Sequence, residues 1–324
     1  MPMRALLVCL LLVVGGLVVL RVRDPESREL DDAARTAAGG SYVQLPDGRT
    51  HYDVSGPADG PRVMLVHGFS VPAYIWDSTV VALTAAGYRV ARYDTYGRGF
   101  SDRPDTRYDL DLFARQLTGV LDSLGWQEPV HLVGLSFGGP ITATFTRRTP
   151  DRVRTLTLVD PAAGPTGMMP WYLRLPWLGE RLWQAMIVPS LADGQLSDFV
   201  EPVNWPDWPD RYRVQMQYRG FGRSLLRTRI ALGGSTTDTL YAAVGATQRP
   251  VHLIWGTQDQ TVPVTWADSL RKQIPQTQYL PIEGAGHLPH MERSAQVHAA
   301  VDAFFRAHMP ADTLRAIPLA VVRD

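Results

Sequence analysis

The sequence has almost no cysteine and no excess of charge of either sign. Its single cysteine, Cys9, lies in an apolar run near the N-terminus, which excludes an intrachain disulfide and a cysteine-based metal site. Lysine plus arginine number 32, and aspartate plus glutamate also number 32, so the chain lacks the positive field that attracts nucleic acid. The sequence therefore predicts no nucleic-acid partner and no metal site.

The apolar content is ordinary for a packed protein. The chain is 45% hydrophobic and 20% charged, which excludes a dominant disordered region. Its 324 residues could form two average domains, but α/β proteins often use this length for one sheet domain with an insertion. We therefore expect one large core.

The N-terminal segment 1–23 contains an unbroken apolar stretch over residues 5–20. As a helix it would span about 24 Å at ~1.5 Å per residue, which is shorter than a bilayer core and longer than most signal-peptide cores. No good cleavage site follows directly, although residues 36–38 offer a weak one. An uncleaved membrane anchor is the favoured interpretation, and a cleaved signal of an extracytoplasmic protein and a buried core helix remain alternatives.

The rest of the chain alternates between apolar runs with strand character and helical patterns, which predicts a mostly parallel sheet with helices on both faces. The predicted strands cover residues 63–66, 90–93, 130–135, 156–159, 251–255 and 277–280.

The stretch 161–249 is far too long for a connection between two strands, so we interpret it as an inserted helical cap. The remaining divisions that we predict are a tether at 24–40, a core at 41–160 and 250–309, and a C-terminal tail at 310–324.

The predicted cap is rich in tryptophan and methionine. We expect most of these side chains to pack the cap against the core and a minority to line an apolar substrate pocket. The residues are Trp171, Trp177, Trp183, Trp205, Trp208, Met168, Met169 and Met186.

The pattern G-x-S-x-G occurs at residues 134–138, directly after an apolar strand and directly before a helical pattern. A serine at such a turn must adopt a strained backbone conformation, and glycines at Gly134 and Gly138 remove the Cβ atoms that would collide with it. This context predicts that Ser136 is a nucleophile. The helix N-terminus that follows favours negative charge, so we assign the Phe137 N–H to an oxyanion hole.

A second oxyanion donor is expected from the loop after an earlier strand, which ends in His67-Gly68-Phe69. Gly68 would allow this loop to bend back toward the nucleophile, so we assign the Phe69 N–H as the second donor. His67 is interpreted as a residue that holds the loop.

A serine hydroxyl needs a base, and the base needs a carboxylate that orients it. His287 follows the last predicted strand and precedes the last helix, so we predict it as the base and His290 as structural. Asp259 lies just after the strand 251–255, which gives the chain order Ser, Asp, His. Asp160, at the end of another strand, remains the alternative carboxylate.

These motifs, together with the loop at residues 93–102, resemble the ordered sequence blocks of the α/β-hydrolase superfamily over residues 41–308. The branch includes lipases, esterases, monoacylglycerol lipases and carbon–carbon bond hydrolases. The resemblance implies an α/β-hydrolase fold with an eight-stranded sheet, a cap after the sixth strand and no cofactor. Arg98, in the loop 93–102, would hold that loop near the site.

Three functions are weighed. The first is hydrolysis of a small-molecule carboxylic ester with an acyl chain, such as a lipid ester. The second is carbon–carbon bond hydrolysis of a dienone acid, for which Arg223, Arg227 and Arg229 could bind the substrate carboxylates. The third is a non-catalytic ligand-binding protein with the same fold. The sequence does not predict the oligomeric state.

Overall fold

The computed structural model describes residues 24–310 and the single positions Leu7, Gly15 and Val22. Apart from those three positions, the predicted anchor or signal segment 1–23 lies outside the described residues, as does the predicted tail from residue 311 onward. Among the helices that are described, none is both long and apolar enough to cross a membrane. The anchor therefore stays a prediction.

An eight-stranded sheet forms the centre of the protein, in the order β1-β2-β4-β3-β5-β6-β7-β8. The first strand pairs antiparallel with the second, the second pairs antiparallel with the fourth, and the remaining pairs are parallel. The predicted mostly parallel eight-stranded sheet is thus confirmed. The strands are β1 Ser41–Leu45, β2 Gly48–Ser55, β3 Arg62–Val66, β4 Arg89–Tyr93, β5 Val130–Leu135, β6 Val153–Val159, β7 Val251–Gly256 and β8 Thr277–Ile282.

The sheet buries apolar side chains on both faces, because β3 sends alternate side chains to opposite sides. Val63 and Leu65 belong to one core cluster, and Met64 and Val66 belong to the other. The α-helices are α1 Asp32–Ala38, α2 Asp77–Ala85, α3 Leu110–Ser123, α4 Gly138–Arg148, α5 Leu178–Met186, α6 Leu191–Gly194, α7 Trp208–Met216, α8 Phe221–Leu232, α9 Asp238–Ala246, α10 Trp266–Gln273, α11 Pro289–Glu292 and α12 Ser294–Ala307.

The helices α5 to α9 lie between β6 and β7, where the insertion was predicted. Trp183 and Trp208, two of the tryptophans in the predicted cap, are buried in a core cluster, as expected for residues that pack the cap against the core. Trp171 and Trp177 instead remain 73% and 60% exposed, so they neither pack a core nor line an enclosed pocket.

The segment before α1 packs on this insertion. The Ser27 and Arg28 N–H groups both donate to the Gln217 carbonyl. The Glu26 carboxylate accepts the N–H groups of Gly220 and Gly222 at 2.7 Å each, at the start of α8. Residues 26–28 are thus fixed to the inserted segment by backbone and side-chain hydrogen bonds.

Candidate active site

Ser136 lies at the turn between β5 and α4, with a left-handed backbone at φ +50°. Its neighbours in the motif leave no room for larger residues. A Cβ atom on Gly138 would lie 2.3 Å from the Val66 carbonyl oxygen, and one on Gly134 would lie 2.5 Å from the Gly138 carbonyl oxygen. The tight packing forces the serine into this sparsely populated conformation.

The loop after β3 approaches the serine closely. A Cβ atom built on Gly68 would lie 3.2 Å from Ser136 Cβ, so a larger residue would require the serine or the loop to shift by a few tenths of an ångström. Among residues 24–310, neither the Phe69 N–H nor the Phe137 N–H donates a backbone hydrogen bond. One of these N–H groups directly follows Ser136 in the chain and the other directly follows Gly68, so both belong to the segments that meet at the serine.

A buried arginine holds that loop. Arg98 Nε donates to the Phe69 carbonyl at 2.7 Å, Nη1 donates to the Tyr96 carbonyl at 3.0 Å, and Nη2 donates to Thr228 Oγ1 at 3.1 Å. Because Thr228 belongs to α8, Arg98 joins the loop that carries Phe69 to the inserted helices.

His287 and Asp259 form a buried hydrogen-bonded pair. His287 Nδ1 donates to Asp259 Oδ2 at 2.8 Å, and Asp259 Oδ1 accepts the N–H groups of Thr261 and Val262 at 2.8 and 2.9 Å. The carboxylate is thus fixed from both sides. Within the described residues, the side-chain hydrogen bond of His287 is to Asp259 and not to Ser136 Oγ; catalytic hydrogen bonds often tighten only when substrate binds.

The surroundings of His287 favour its protonated form. Burial lowers the pKa of the imidazole, but the hydrogen bond and negative charge of Asp259, with the charge of Asp198, outweigh burial and raise the pKa above its ordinary value. The interactions that raise the pKa also stabilise the imidazolium that forms when the imidazole takes up a proton.

Asp160, the alternative carboxylate, lies beside the pair but does not contact the imidazole nitrogen that Asp259 engages. It is fully buried, has φ +40°, and its Oδ1 accepts the Gly256 N–H at 2.8 Å. Burial, and next the charge of Asp259, raise its pKa well above the ordinary value. Burial beside a second carboxyl group therefore favours the neutral form of Asp160.

Ligand atoms of Asp160, Asp259 and His287 lie within 4.8 Å of one another, which is close enough to surround a cation. Their hydrogen bonds already engage His287 Nδ1, Asp259 Oδ2 and Asp160 Oδ1. These hydrogen bonds are enough to explain why the three side chains lie close together.

His67 and His290, which the sequence analysis interpreted as structural, make hydrogen bonds to the backbone. His67 Nδ1 donates to the Gly68 carbonyl at 2.8 Å, and its Nε2 accepts the Thr95 N–H at 2.9 Å. Burial lowers its pKa to about 4. His290 packs on Trp76 and bonds to the Ile75 carbonyl at 3.2 Å, and burial lowers its pKa to about 3.

A second histidine–aspartate pair lies away from the serine, at a cavity of about 280 Å³ beside β2 and β4. His51 Nδ1 bonds to Asp94 Oδ2 at 2.8 Å. A neighbouring hydroxyl, Ser101 Oγ, accepts the backbone N–H of His51 and donates to the Asp94 carbonyl oxygen. Both of these partners are backbone groups, so the contacts of this hydroxyl are structural.

The three arginines proposed for carboxylate binding are engaged or exposed. Arg227 pairs with Asp105 and with Glu180, and Arg223 donates to the Arg103 carbonyl at 2.8 Å. Arg229 is exposed to solvent. None of these contacts involves the serine or histidine loops.

Sequence reasoning missed Asp198, Thr261 and Glu292, which contact the loops that carry His287 and Asp259. Thr261 and Glu292 lie close in sequence to Asp259 and His287, but no motif marks them, and Asp198 belongs to a distant segment. Only the docking of the inserted helices brings Asp198 to the site.

Comparisons with known proteins bear on the fold of the chain. A family model described as the alpha/beta hydrolase fold matches residues 61–294. An uncharacterised protein of Mycobacterium tuberculosis is 29% identical over 282 residues, covering 82% of this chain and 81% of that protein.

Two solved structures resemble the chain at low sequence identity, which shows the fold alone. A thermophilic esterase from Thermogutta terrifontis superposes with a TM-score of 0.70 at 23% identity, covering 83% of this chain and 100% of that one. A meta-cleavage product hydrolase from Pseudomonas fluorescens gives 0.68 at 24%, covering 84% and 99%. Because the family model matches well over half of the 324 residues, the chain belongs to the α/β-hydrolase fold family.

Proposed function

We propose that the protein hydrolyses carboxylic esters through an acyl-enzyme on Ser136. The observation that carries this proposal is the combination of a strained serine beside two unengaged N–H groups and a buried His287–Asp259 pair. A fold member that only binds ligand has no need to keep a serine strained in this way.

In the first half of the reaction, Ser136 Oγ attacks the ester carbonyl carbon and its proton passes to His287 Nε2. The Phe69 and Phe137 N–H groups stabilise the oxyanion, and Asp259 stabilises the imidazolium. When the oxyanion collapses, the ester C–O bond breaks and the alcohol leaves with the proton from His287.

In the second half, water attacks the acyl carbon and gives its proton to His287. The bond to Ser136 Oγ breaks, the carboxylic acid leaves, and the proton returns to the serine. Every step uses side chains and backbone groups of this chain.

The charges near the site support a neutral ester over a dienone acid. Burying a substrate carboxylate is costly unless a cation pairs with it. Arg223 and Arg227 are committed to protein partners, and Asp198 adds a further acidic group beside His287. The apolar side chains of the inserted helices support an acyl chain as the bound portion.

The test is a panel of p-nitrophenyl esters graded by acyl length, run beside one dienone-acid substrate, with the wild-type protein and Ser136→Ala. We expect ester turnover that rises from acetyl to octanoyl and a loss of about 10⁴-fold or more in the variant. Turnover of the dienone acid alone would contradict the ester assignment. Wild-type protein that no fluorophosphonate labels would contradict catalysis itself.

We further propose that the protein associates with membranes through residues 5–20. Two features support this. The apolar run ends shortly before Asp24, whose carboxylate accepts a hydrogen bond from the Gln184 side chain of α5 at 2.9 Å. The exposed Trp171 and Trp177 precede the same helix in the chain. Aromatic residues favour the membrane–water interface. The full-length protein is expected to remain in the membrane pellet after an alkaline carbonate wash, and full release into the supernatant would contradict the proposal.

A further inference from the structure

The loop that carries His287 is held by a segment of the inserted helices. The His287 N–H donates to the Asp198 carbonyl oxygen at 2.8 Å. The approach is so close that a Cβ atom on Gly286 would lie 2.6 Å from that same oxygen. The backbone of the proposed base is therefore fixed by a residue that is distant in sequence.

The Asp198 side chain continues this connection. Its Oδ1 accepts the Thr261 hydroxyl at 2.5 Å, and the Thr261 N–H donates to Asp259 Oδ1 at 2.8 Å. Asp259 Oδ2 in turn accepts from His287 Nδ1. The four residues Asp198, Thr261, Asp259 and His287 close a ring of hydrogen bonds.

Glu292 adds a second connection between the same two segments. Its Oε2 accepts the Gly286 N–H at 2.7 Å, and its Oε1 accepts the Val200 N–H at 2.8 Å. Between these points Phe199 is buried and stacks on Trp205 with ring centroids 4.9 Å apart. Residues 198–200 are thus anchored on the His287 loop by side-chain and backbone contacts.

We propose that Asp198 is a positioning residue of the active site: its carbonyl fixes the His287 loop, and its carboxylate stabilises the imidazolium formed during turnover. This inference rests on the proposed ester hydrolysis and extends it. It means that the base is fully positioned only while residues 198–200 are docked on the His287 loop. Substrate specificity and chemistry then depend on the same inserted segment.

Several titratable groups face His287, so the effect of the Asp198 charge on the pKa of His287 must be separated from the effects of the others. Asp259 lies after β7, Asp160 lies after β6, His290 lies in α11, and Asp198 comes from the insertion. The charge of Asp198 raises the pKa of His287, in the same direction as Asp259. Removing Asp198 alone leaves Asp259 in place to orient the imidazole.

The experiment compares the pH dependence of kcat/KM for full-length wild type, Asp198→Asn and Asp193→Asn. In free enzyme the acidic limb reports the pKa of the base. Loss of the Asp198 charge is expected to move this limb to lower pH by about half a unit to one unit, with a several-fold lower kcat. Asp193 is the matched control, because it is an exposed acid of the same insertion paired with Arg213. Its limb is expected to coincide with that of wild type.

A limb of Asp198→Asn that coincides with wild type, or an equal shift in Asp193→Asn, would overturn the assignment. If Asp198→Asn does not fold, Asp198→Ser removes the charge while keeping a small polar side chain, and the same shift is expected. The rate of fluorophosphonate labelling at Ser136 provides the same pH profile without a substrate. Wild-type protein that is not labelled would overturn the ester hydrolase proposal, whereas normal wild-type labelling with an unshifted Asp198 variant would overturn only this one.

Discussion

At the residue scale, the two buried aspartates beside His287 differ in their hydrogen-bond partners. Asp259 accepts two backbone N–H groups and the imidazole N–H. Asp160 accepts one N–H, from Gly256, and burial raises its pKa well above the ordinary value. We therefore expect Asp259 to orient the imidazole and Asp160 to act as a neutral supporting group.

Substituting each aspartate by asparagine separates these roles. Asp259→Asn is expected to lower kcat by about 10⁴-fold. Its amide oxygen would keep the N–H groups of Thr261 and Val262, so its NH2 group would face His287 Nδ1 and favour the wrong imidazole tautomer. Asp160→Asn keeps a neutral group that can bond to Gly256, so it should retain most of the activity. Ester turnover measures both, and the reverse order of activities would make Asp160 the orienting carboxylate.

At the element scale, the turn between β5 and α4 requires glycine on both sides of the serine. A Cβ atom at Gly138 would collide with backbone of β3 and not with a flexible side chain, so it cannot be relieved by a rotamer change. The strand β3, the serine turn and the loop that follows β3 are thus packed as one unit.

Gly138→Ala is expected to destabilise the protein by about 1–3 kcal/mol and to abolish fluorophosphonate labelling, because the backbone must shift at the nucleophile. Gly167→Ala is the control, since a Cβ atom there would meet nothing within 4 Å. Urea unfolding measures the stability of the two variants, and fluorophosphonate labelling measures the reactivity of Ser136 in each. Equal behaviour of the two variants would show that the close approach at Gly138 is not needed.

At the scale of the whole molecule, the fold buries several histidines in their neutral form. Burial lowers the pKa of His67 to about 4 and those of His131 and His290 to about 3. These folded-state values lie below the ordinary value near 6.5. As pH falls through 6.5, the unfolded chain takes up protons that the folded chain does not, so stability is lost from there down to the folded pKa.

Each such histidine should reduce the free energy of unfolding by about 1.4 kcal/mol per pH unit below its ordinary pKa. His131→Gln removes one titrating group from the pair formed with Thr155. Urea unfolding of wild type and variant at about pH 7 and about pH 5 should show a weaker pH dependence in the variant. If the free energy of unfolding depended on pH equally in both proteins, His131 would take up its proton at the same pH in the folded and the unfolded chain.

The sequence predicted the parts of this molecule whose signals are local. The six predicted strands are the ones with parallel partners, and five of them, β3 to β7, are largely buried and therefore read as apolar runs. The sixth, β8, is an edge strand with partly exposed side chains. The antiparallel strands Ser41–Leu45 and Gly48–Ser55 have mixed, partly exposed side chains and gave no such run. Likewise, Ser136 has a motif, whereas Asp198 reaches the site through tertiary docking alone.

Acylation of Ser136 is tested most directly by the mass of the enzyme quenched with acid during turnover of an octanoyl ester. We expect an increment of one acyl group on the peptide that contains Ser136, absent in Ser136→Ala and after the ester is exhausted. Hydrolysis of the ester with the acyl group on another residue, or with no covalent adduct while the variant stays equally active, would contradict it.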